Sequence, residues 1–253
     1  MKPALGTVHL VGAGPGAPDL LTVRAARLLG EADVVFYDAL VSPGILALVR
    51  TDRRVAVGKR SGRHSTAQRF INKQLADAAR RHRTVVRLKG GDPMLFGRAH
   101  EEIAFLHAQG IAVQVVPGVT AALAASAELQ VSMTRRGAAR TVAFVTPRVG
   151  EGERESTWIA AVLAADTAAI YMGAGEATAI REALLQAGKP AGTPVAVVES
   201  ASLQAKVARG VLGDLPRLAA SAGGPIVILL GEVYAAAAVE AARASLRSAS
   251  QAA

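Results

Sequence analysis

The chain has 253 residues, of which 51% are hydrophobic, so it is long enough for one large domain or two smaller ones. It contains no cysteine, which excludes disulfides, thiolate metal sites and a cysteine nucleophile, and no apolar run is long enough for a membrane-spanning helix. The net charge of +9 favours an anionic partner, but aromatic residues are only 4%, too few for the stacking surfaces that bind single-stranded nucleic acid. We therefore expect a soluble cytoplasmic protein that acts on a small anion, with no nucleic-acid or membrane partner.

Strands and helices alternate along the first half of the chain, with short connections between them. Apolar, β-branched runs predict strands at 7–11, 33–37, 54–57, 85–88 and 113–116. The segments between and after them predict helices at 18–29, 43–49, 65–80, 99–108 and 119–129. This order of elements indicates an α/β domain with a parallel sheet.

The pattern becomes irregular around residues 131–140 and then restarts. Strands are predicted at 140–145, 168–172, 194–198, 204–211 and 225–230, and helices at 158–163, 177–186 and 215–222. The alternation at 204–211 also fits an antiparallel strand. We therefore predict two α/β domains, 1–130 and 131–240, with a ligand cleft between them, and a frayed Ala/Ser-rich tail at 241–253.

A glycine-rich loop follows the predicted strand at 85–88. Gly90 and Gly91 have no Cβ and can take a positive φ, and Pro93 biases Asp92 toward an extended backbone. Loops at the C-terminal ends of strands bind ligands in open α/β sheets, so this loop is a candidate site, although an ordinary turn has a similar composition. The other candidate site loops contain Gly12–Gly16, Asp38, Lys59, Thr120-Ala121 and Met172-Gly173.

A second glycine-rich turn, at residues 12–17, has the pattern G-x-G-x-x-A of a loose dinucleotide-binding fingerprint. Asp38 ends the next strand, where the dinucleotide-binding fold places the acid that binds the ribose. An NAD(P)-dependent oxidoreductase is therefore an open alternative. Pro15 and Pro18 count against it, because a helix that begins near Pro18 would have its N–H groups displaced from a pyrophosphate.

Seven short motifs occur in order: VGAGPG at 11–16, YDALV at 37–41, VGKR at 57–60, VRLKGGDP at 86–93, FGR at 96–98, VPGVTA at 116–121 and YMG at 171–173. Together they resemble the uroporphyrinogen-III C-methyltransferases of the tetrapyrrole methylase family. The resemblance covers about residues 6–234, and seven ordered motifs are far more specific than any one of them. It implies two α/β domains and a homodimer.

The resemblance also implies that S-adenosylmethionine binds in the interdomain cleft, largely through backbone groups, and leaves as S-adenosylhomocysteine. This cofactor has no phosphate, so the glycine-rich turn at residues 12–17 need not be a phosphate cradle. The matching cofactor-binding positions are Pro15, Gly90, Gly91, Asp92, Leu95, Thr120, Ala121, Met172 and Ala201. The matching catalytic carboxylate and lysine are Asp38 and Lys59.

The implied reaction methylates two ring carbons of uroporphyrinogen III, giving precorrin-2 by way of precorrin-1, for sirohaem or cobalamin synthesis. The substrate is a polycarboxylate, which independently suits a chain of net charge +9. Arginine forks match carboxylates, and the substrate-binding candidates are Arg135, Arg136 and Arg140, followed by Arg60, Arg63 and His64. None of the five histidines has metal-ligand spacing, so no metal is expected.

The motifs depart from the family pattern mainly on the presumed substrate side, at 132–139, 147–148 and 200–202. The cofactor side is better kept, so the sequence defines the methyl donor better than the tetrapyrrole. A later corrin-ring methyltransferase therefore stays open as an alternative, and so does a non-catalytic tetrapyrrole-binding protein. The presence of Asp38, Lys59 and Asp92 argues against the non-catalytic alternative.

Overall fold

The computed structural model describes residues 5–58, 68–149 and 156–235. The chain divides into two compact units, Met1–Ala121 and Ala122–Ala253. The boundary predicted after residue 130 lies one short helix further along the chain, and the predicted tail lies outside the described residues. Within the described ranges, no helix is both long enough and apolar enough to span a bilayer.

Five strands form the sheet of the first unit, and all of them are parallel. They are β1 (Thr7–Gly12), β2 (Val34–Tyr37), β3 (Arg54–Ala56), β4 (Thr84–Lys89) and β5 (Val113–Val116). The spatial order is β3-β2-β4-β1-β5, so β1 and β4 lie near the centre and β2 borders β4. The predicted parallel α/β sheet is confirmed, and the C-terminal ends of β1, β2, β4 and β5 share one edge.

Helices cover both faces of this sheet. They are α1 (Val23–Glu31), α2 (Pro43–Leu46), α3 (Gln68–Ala79) and α4 (Ala99–Ala108). A further helix, α5 (Ala121–Leu129), starts at the boundary between the units and belongs almost entirely to the second one. Successive residues of β2 enter different cores, as the alternation of a strand requires. Val34 is clustered with Leu75 of α3 and Leu106 of α4, whereas Val35 is clustered with Leu29 of α1.

The predicted helix at 18–29 is wrong at its start. Pro18–Leu20 form only a 3-10 turn, and α1 begins at Val23. Thr22 has an extended backbone, and its Oγ1 accepts a hydrogen bond from the Ala25 N–H at 3.1 Å. This side-chain cap sets the start of α1 well after the glycine-rich turn at residues 12–17.

The second unit has a mixed sheet. Its strands are β6 (Val142–Val145), β7 (Thr167–Tyr171), β8 (Pro194–Glu199), β9 (Lys206–Val211) and β10 (Ile226–Gly231), in the spatial order β6-β7-β10-β8-β9. β6 and β7 are parallel, whereas β10 is antiparallel to β7 and β8, and β9 is antiparallel to β8. The antiparallel alternative for 204–211 is therefore correct. The central place of β10 was not predicted, because strand order depends on packing between distant segments.

After α5, the described part of the second unit contains the α-helices α6 (Trp158–Ala164), α7 (Ala177–Gln186) and α8 (Leu215–Ala219). Val162 of α6, Ile180 of α7 and Leu215 of α8 share one core cluster with Ile170 of β7 and Ile228 of β10. β8 and β10 are buried along their whole length. β7 is buried except at Tyr171, so the loops after β7 and β8 both start from well-packed strands.

Candidate active site

The turn after β1 and the loop after β4 are joined by backbone hydrogen bonds. The Ala13 N–H donates to the Lys89 carbonyl at 2.7 Å, and Gly14 and Gly91 exchange two bonds of 3.1 and 2.8 Å. Gly14 and Gly91 both have left-handed backbones, with φ of +68° and +67°. A side chain at either position would strain this backbone conformation. The contact between the two loops therefore accounts for both glycines, and no bound phosphate is needed to explain them.

The loop after β5 packs against the same two segments. A Cβ on Gly118 would collide with the Gly91 carbonyl oxygen, and a Cβ on Gly12 would lie 2.6 Å from the Gly118 nitrogen. These loops therefore approach at distances that a side chain would prevent. A Cβ built on Gly91, in contrast, meets no atom within 4 Å, so this side of the loop is open to a ligand.

Asp92 fastens this arrangement with its side chain. Its Oδ1 accepts a hydrogen bond of 2.7 Å from the Met94 N–H within its own loop. Its Oδ2 accepts one of 2.9 Å from the Gly118 N–H of the loop after β5. Both oxygens of Asp92 thus hold backbone, and the carboxylate fixes the shape of the loops on which the predicted cofactor contacts lie.

The predicted cofactor-binding residues of the first unit all lie in the loops after β1, β4 and β5 or, for the last of them, at the start of α5: Pro15, Gly90, Gly91, Asp92, Leu95, Thr120 and Ala121. The hydrogen bonds described above bring the loops of Pro15, Gly91 and Asp92 together. Thr120 is buried, and Leu95 is half-buried with its N–H donating to the Asp92 carbonyl at 3.3 Å.

Strained backbone lies between the β4 loop and α4. Phe96 and Arg98 have φ of +52° and +55°, on either side of Gly97. A Cβ on Gly97 would lie 2.6 Å from the Pro93 carbonyl oxygen. Such strain in non-glycine residues costs free energy and is concentrated at ligand sites. This strain was not predicted, because phenylalanine and arginine have no preference for a left-handed backbone.

The predicted cofactor-binding residues of the second unit also lie in strained loops. Met172 follows β7, has φ of +58° and is 42% exposed. Ala201 follows β8 and is buried, and its neighbours Ser200 and Ser202 have φ of +53° and +71°. Both positions therefore follow a strand. Met172 itself has a rare backbone conformation, and Ala201 lies between two residues that do.

Asp38, the predicted catalytic carboxylate, lies directly after β2. Its N–H donates to the Leu88 carbonyl at 3.2 Å, and its Oδ1 accepts a hydrogen bond of 2.5 Å from Nη2 of Arg87. The Asp38 side chain is 27% exposed, whereas that of Arg87 is only 3% exposed. Asp38 is therefore a partly exposed carboxylate that is hydrogen-bonded to a buried guanidinium.

Arg87 belongs to a buried cluster of charges between β4 and α4. Glu102 Oε1 accepts hydrogen bonds from Arg87 Nε and Lys89 Nζ, both at 3.1 Å, and Lys89 also reaches Oε2 at 3.2 Å. Gln68 Nε2 donates to the same Oε1 at 3.0 Å. Burial lowers the pKa of Lys89, the charge of Arg87 lowers it further, and Glu102 and Asp38 oppose the change. Buried charges require such partners, because an isolated one is very costly.

Arg87, Lys89 and Glu102 were not among the predicted site residues. A signal was nevertheless present, because Arg87 and Lys89 are alternate residues of an otherwise apolar strand and must point to the same face. That face is covered by α4, which contributes Glu102. Two cations on one face of a buried strand predict a buried acidic partner.

The three first-choice substrate arginines lie close together in sequence and are all exposed. Arg135 and Ala139 exchange two backbone hydrogen bonds of 2.8 Å, which close a tight turn that contains Gly137 with φ of +81°. The Arg140 N–H donates to Asp166 Oδ2 at 2.8 Å. The turn thus presents Arg135 and Arg136 to solvent from a fixed backbone.

The remaining predicted residues cannot be placed in this arrangement. Lys59, Arg60, Arg63 and His64 lie outside the described residues. The last described residue before them is Gly58, and a Cβ there would lie 2.6 Å from the Ala39 nitrogen. The chain that leads to Lys59 therefore leaves β3 beside the backbone that follows Asp38.

Comparison with known proteins gives a consistent result. A family model described as Tetrapyrrole (Corrin/Porphyrin) Methylases matches residues 7–216. A siroheme synthase of Pseudomonas fluorescens (strain Pf0-1) is 47% identical over 232 residues, covering 90% of this chain and 50% of the relative. The chain therefore spans about half the length of the curated relatives it matches.

Solved structures match over nearly their whole length. The native form of uroporphyrin III C-methyltransferase from Thermus thermophilus is 41% identical, with a TM-score of 0.80, and the match covers 90% of this chain and 98% of that one. The same enzyme complexed with S-adenosyl homocysteine has a TM-score of 0.79, with the same identity and coverage. A cobalt precorrin-4 methyltransferase, CbiF, is 29% identical with a TM-score of 0.78, covering 90% of this chain and 96% of that one.

Proposed function

Because the chain belongs to the tetrapyrrole (corrin/porphyrin) methylase family, as its sequence motifs predict, we propose that it methylates two ring carbons of uroporphyrinogen III. The methyl donor is S-adenosylmethionine, and the product is precorrin-2, formed by way of precorrin-1 for sirohaem or cobalamin synthesis. The observation that carries this proposal is the 41% identity to a uroporphyrin III C-methyltransferase over 98% of that chain.

The glycine loops of the first unit fit this methyl donor. Gly91 leaves open space where a side chain would be, beside backbone groups that can bind an amino-acid tail or an adenine. The late start of α1, at Val23, suits a cofactor without phosphate, and the same feature counts against NAD(P). The proposed cofactor contacts are Pro15, Gly90, Gly91, Asp92, Leu95, Thr120, Ala121, Met172 and Ala201.

When bound, S-adenosylmethionine supplies a sulfonium methyl group to a nucleophilic ring carbon of the tetrapyrrole. The loops align the two reactants, a contribution that can reach about 7–11 kcal/mol. Carbon methylation leaves an extra positive charge on the macrocycle, so a proton must depart, and the Asp38 carboxylate accepts it. Lys59 donates a proton or pairs with a substrate carboxylate.

The substrate carboxylates bind to the exposed guanidinium groups of Arg135, Arg136 and Arg140, with Arg60, Arg63 and His64 as further contacts. Planar arginine forks match carboxylates in two parallel hydrogen bonds. The fixed turn at residues 135–139 supports this assignment, because it presents two arginines without a large loss of backbone freedom. We further propose a homodimer, as the family resemblance implies, and a cytoplasmic location, as the composition predicts.

A later corrin-ring methyltransferase is the second candidate. The fold similarity to a cobalt precorrin-4 methyltransferase favours it, although that enzyme is only 29% identical. A non-catalytic tetrapyrrole-binding protein is less well supported, because Asp38 is partly exposed and already held by Arg87. All of these candidates predict tetrapyrrole binding, so turnover is needed to separate them.

The test is an anaerobic incubation of the protein with S-adenosylmethionine and uroporphyrinogen III, followed by mass and absorbance spectra of the tetrapyrrole. We expect a gain of two methyl groups. Asp38→Ala is expected to lower the rate by about 10²–10⁴-fold while S-adenosylhomocysteine still binds.

Three other results would redirect the proposal. Cofactor binding with untouched uroporphyrinogen would favour a later corrin intermediate as the substrate. Tetrapyrrole binding without any methyl transfer would favour the non-catalytic candidate. Absence of S-adenosylhomocysteine binding by calorimetry would overturn the methyltransferase proposal as a whole.

A further inference from the structure

We infer that Arg87 is a positioning residue for the Asp38 carboxylate, and that Glu102 and Lys89 hold the Arg87 guanidinium in place. The inference rests on the proposed function, in which Asp38 accepts the departing proton. None of the three residues needs to touch the substrate, because they act through Asp38.

Each nitrogen of the Arg87 guanidinium donates a hydrogen bond within the fold. Its Nε donates to Glu102 Oε1 at 3.1 Å, its Nη1 to the Leu88 carbonyl at 3.2 Å and its Nη2 to Asp38 Oδ1 at 2.5 Å. These three bonds point in different directions, so the planar guanidinium cannot rotate about any one of them without breaking the other two. The Asp38 Oδ1 that it holds is therefore fixed with respect to β4 and α4.

Charge balance points to the same conclusion. Arg87 and Lys89 contribute two positive charges and Glu102 one negative charge, and all three side chains are at most 3% exposed. One positive charge remains, and the Asp38 carboxylate is the partner that balances it. Removing one member of such a cluster leaves an uncompensated buried charge, which is strongly destabilising. The charged side chains therefore hold one another in position.

Within the described part of the chain, only one oxygen of Asp38 has a hydrogen-bond partner. Among the described residues, Oδ1 accepts the bond from Arg87, and no hydrogen bond engages Oδ2. With Oδ1 fixed and the side chain 27% exposed, Oδ2 is the atom that can receive a proton. Because Arg87 holds Oδ1, it also restricts the direction in which Oδ2 points.

The experiment is a double-mutant cycle between Arg87 and Asp38, with kcat and KM measured for uroporphyrinogen III and S-adenosylmethionine. Arg87→Met keeps the Glu102–Lys89 pair and is expected to lower kcat by about 100-fold, with little change in either KM. In an Asp38→Asn background the same change is expected to lower kcat by less than about twofold, because a positioning residue has nothing left to position.

Two further variants guard against loss of folding. Arg87→Lys keeps the charge, but its compact ammonium group cannot replace a planar guanidinium that contacts three separated acceptors. Its kcat should therefore lie between those of the wild type and Arg87→Met. The same double-mutant cycle can be run with this variant. Arg80→Met is the matched control, because it removes an arginine from an exposed pair with Asp77 and should leave kcat unchanged. Thermal unfolding of each variant reports whether it is folded.

The outcomes separate this inference from the function on which it rests. An inactive wild-type protein would overturn the proposed function and this inference with it. An active wild type in which the Arg87 and Asp38 effects simply multiply, or in which Arg87→Met and Arg87→Lys retain full kcat, would overturn the inference alone. Loss of kcat that disappears in the Asp38→Asn background supports it.

Discussion

At the scale of single residues, one missing Cβ decides how closely the glycine loops approach. A Cβ on Gly118 would collide with the Gly91 carbonyl oxygen and would lie 2.9 Å from Gly12 Cα. We therefore expect Gly118→Ala to lower the free energy of unfolding by about 1–3 kcal/mol and to weaken S-adenosylhomocysteine binding. Denaturant unfolding and calorimetry measure the two effects.

Gly192→Ala is the control for this substitution, because a Cβ there meets no atom within 4 Å and φ is not positive. It should leave stability within about 0.5 kcal/mol of the wild type and binding unchanged. If Gly118→Ala behaved like this control, the close approach of the loops after β4 and β5 would not matter for the site.

At the scale of elements, β1 contains a histidine that resists protonation. His9 is 8% exposed, and its pKa is lowered by burial and then by Arg27, while Glu31 opposes the change. Below the ordinary histidine pKa of about 6.5 the unfolded chain takes up a proton before the folded one does. Stability should therefore fall as the pH drops from about 6.5 toward the lowered pKa of His9.

His9→Gln removes this titration, so the variant should lose less stability than the wild type between pH 7 and pH 5.5. His107→Gln, at an exposed position on α4, is the control and should retain the wild-type slope. Urea unfolding at a series of pH values measures the slopes, and equal slopes for all three proteins would contradict the assignment to His9.

The elements also show what the sequence can and cannot predict. α4, β5 and α7 have the predicted bounds, because apolar runs and turn residues mark both of their ends. The start of α1 was misplaced because Pro18 resembles a first helical residue, whereas the cap is Thr22. The position of β10 in its sheet depends on packing between segments that are far apart in the chain.

The candidate site divides in the same way. The glycine loops could be predicted because glycine, proline and aspartate have strong local preferences. The Arg87–Glu102–Lys89 cluster was missed because Glu102 lies on a different element from the two cations, so their contact depends on the packing of α4 on β4. Helix and strand patterns do not specify which side chains meet across that interface.

At the scale of the whole molecule, the net charge of +9 should matter for substrate capture. We expect the double variant Arg135→Gln/Arg136→Gln to raise the KM for uroporphyrinogen III by at least about tenfold, because each charge-assisted hydrogen bond contributes about 1.5–3 kcal/mol. Added salt should raise the wild-type KM and should affect the variant less.

The control for this variant is Arg217→Gln, which removes an exposed arginine of the second unit that is paired with Asp214. It should leave the KM and its salt dependence close to those of the wild type. Steady-state kinetics at several ionic strengths measure both quantities. A similar rise in KM for the control would indicate a general effect of charge rather than a binding role for residues 135 and 136.

The bond between Asp92 and Gly118 has a consequence for how the protein is made. Every hydrogen bond described above for the glycine loops and for Asp38 joins residues that precede residue 119. Proteins are synthesised from the N-terminus, and domains generally fold as they emerge from the ribosome. These contacts can therefore form while the second unit is still being translated. They are the hydrogen bonds between Gly14 and Gly91, those that Asp92 accepts, and the Arg87–Asp38 pair.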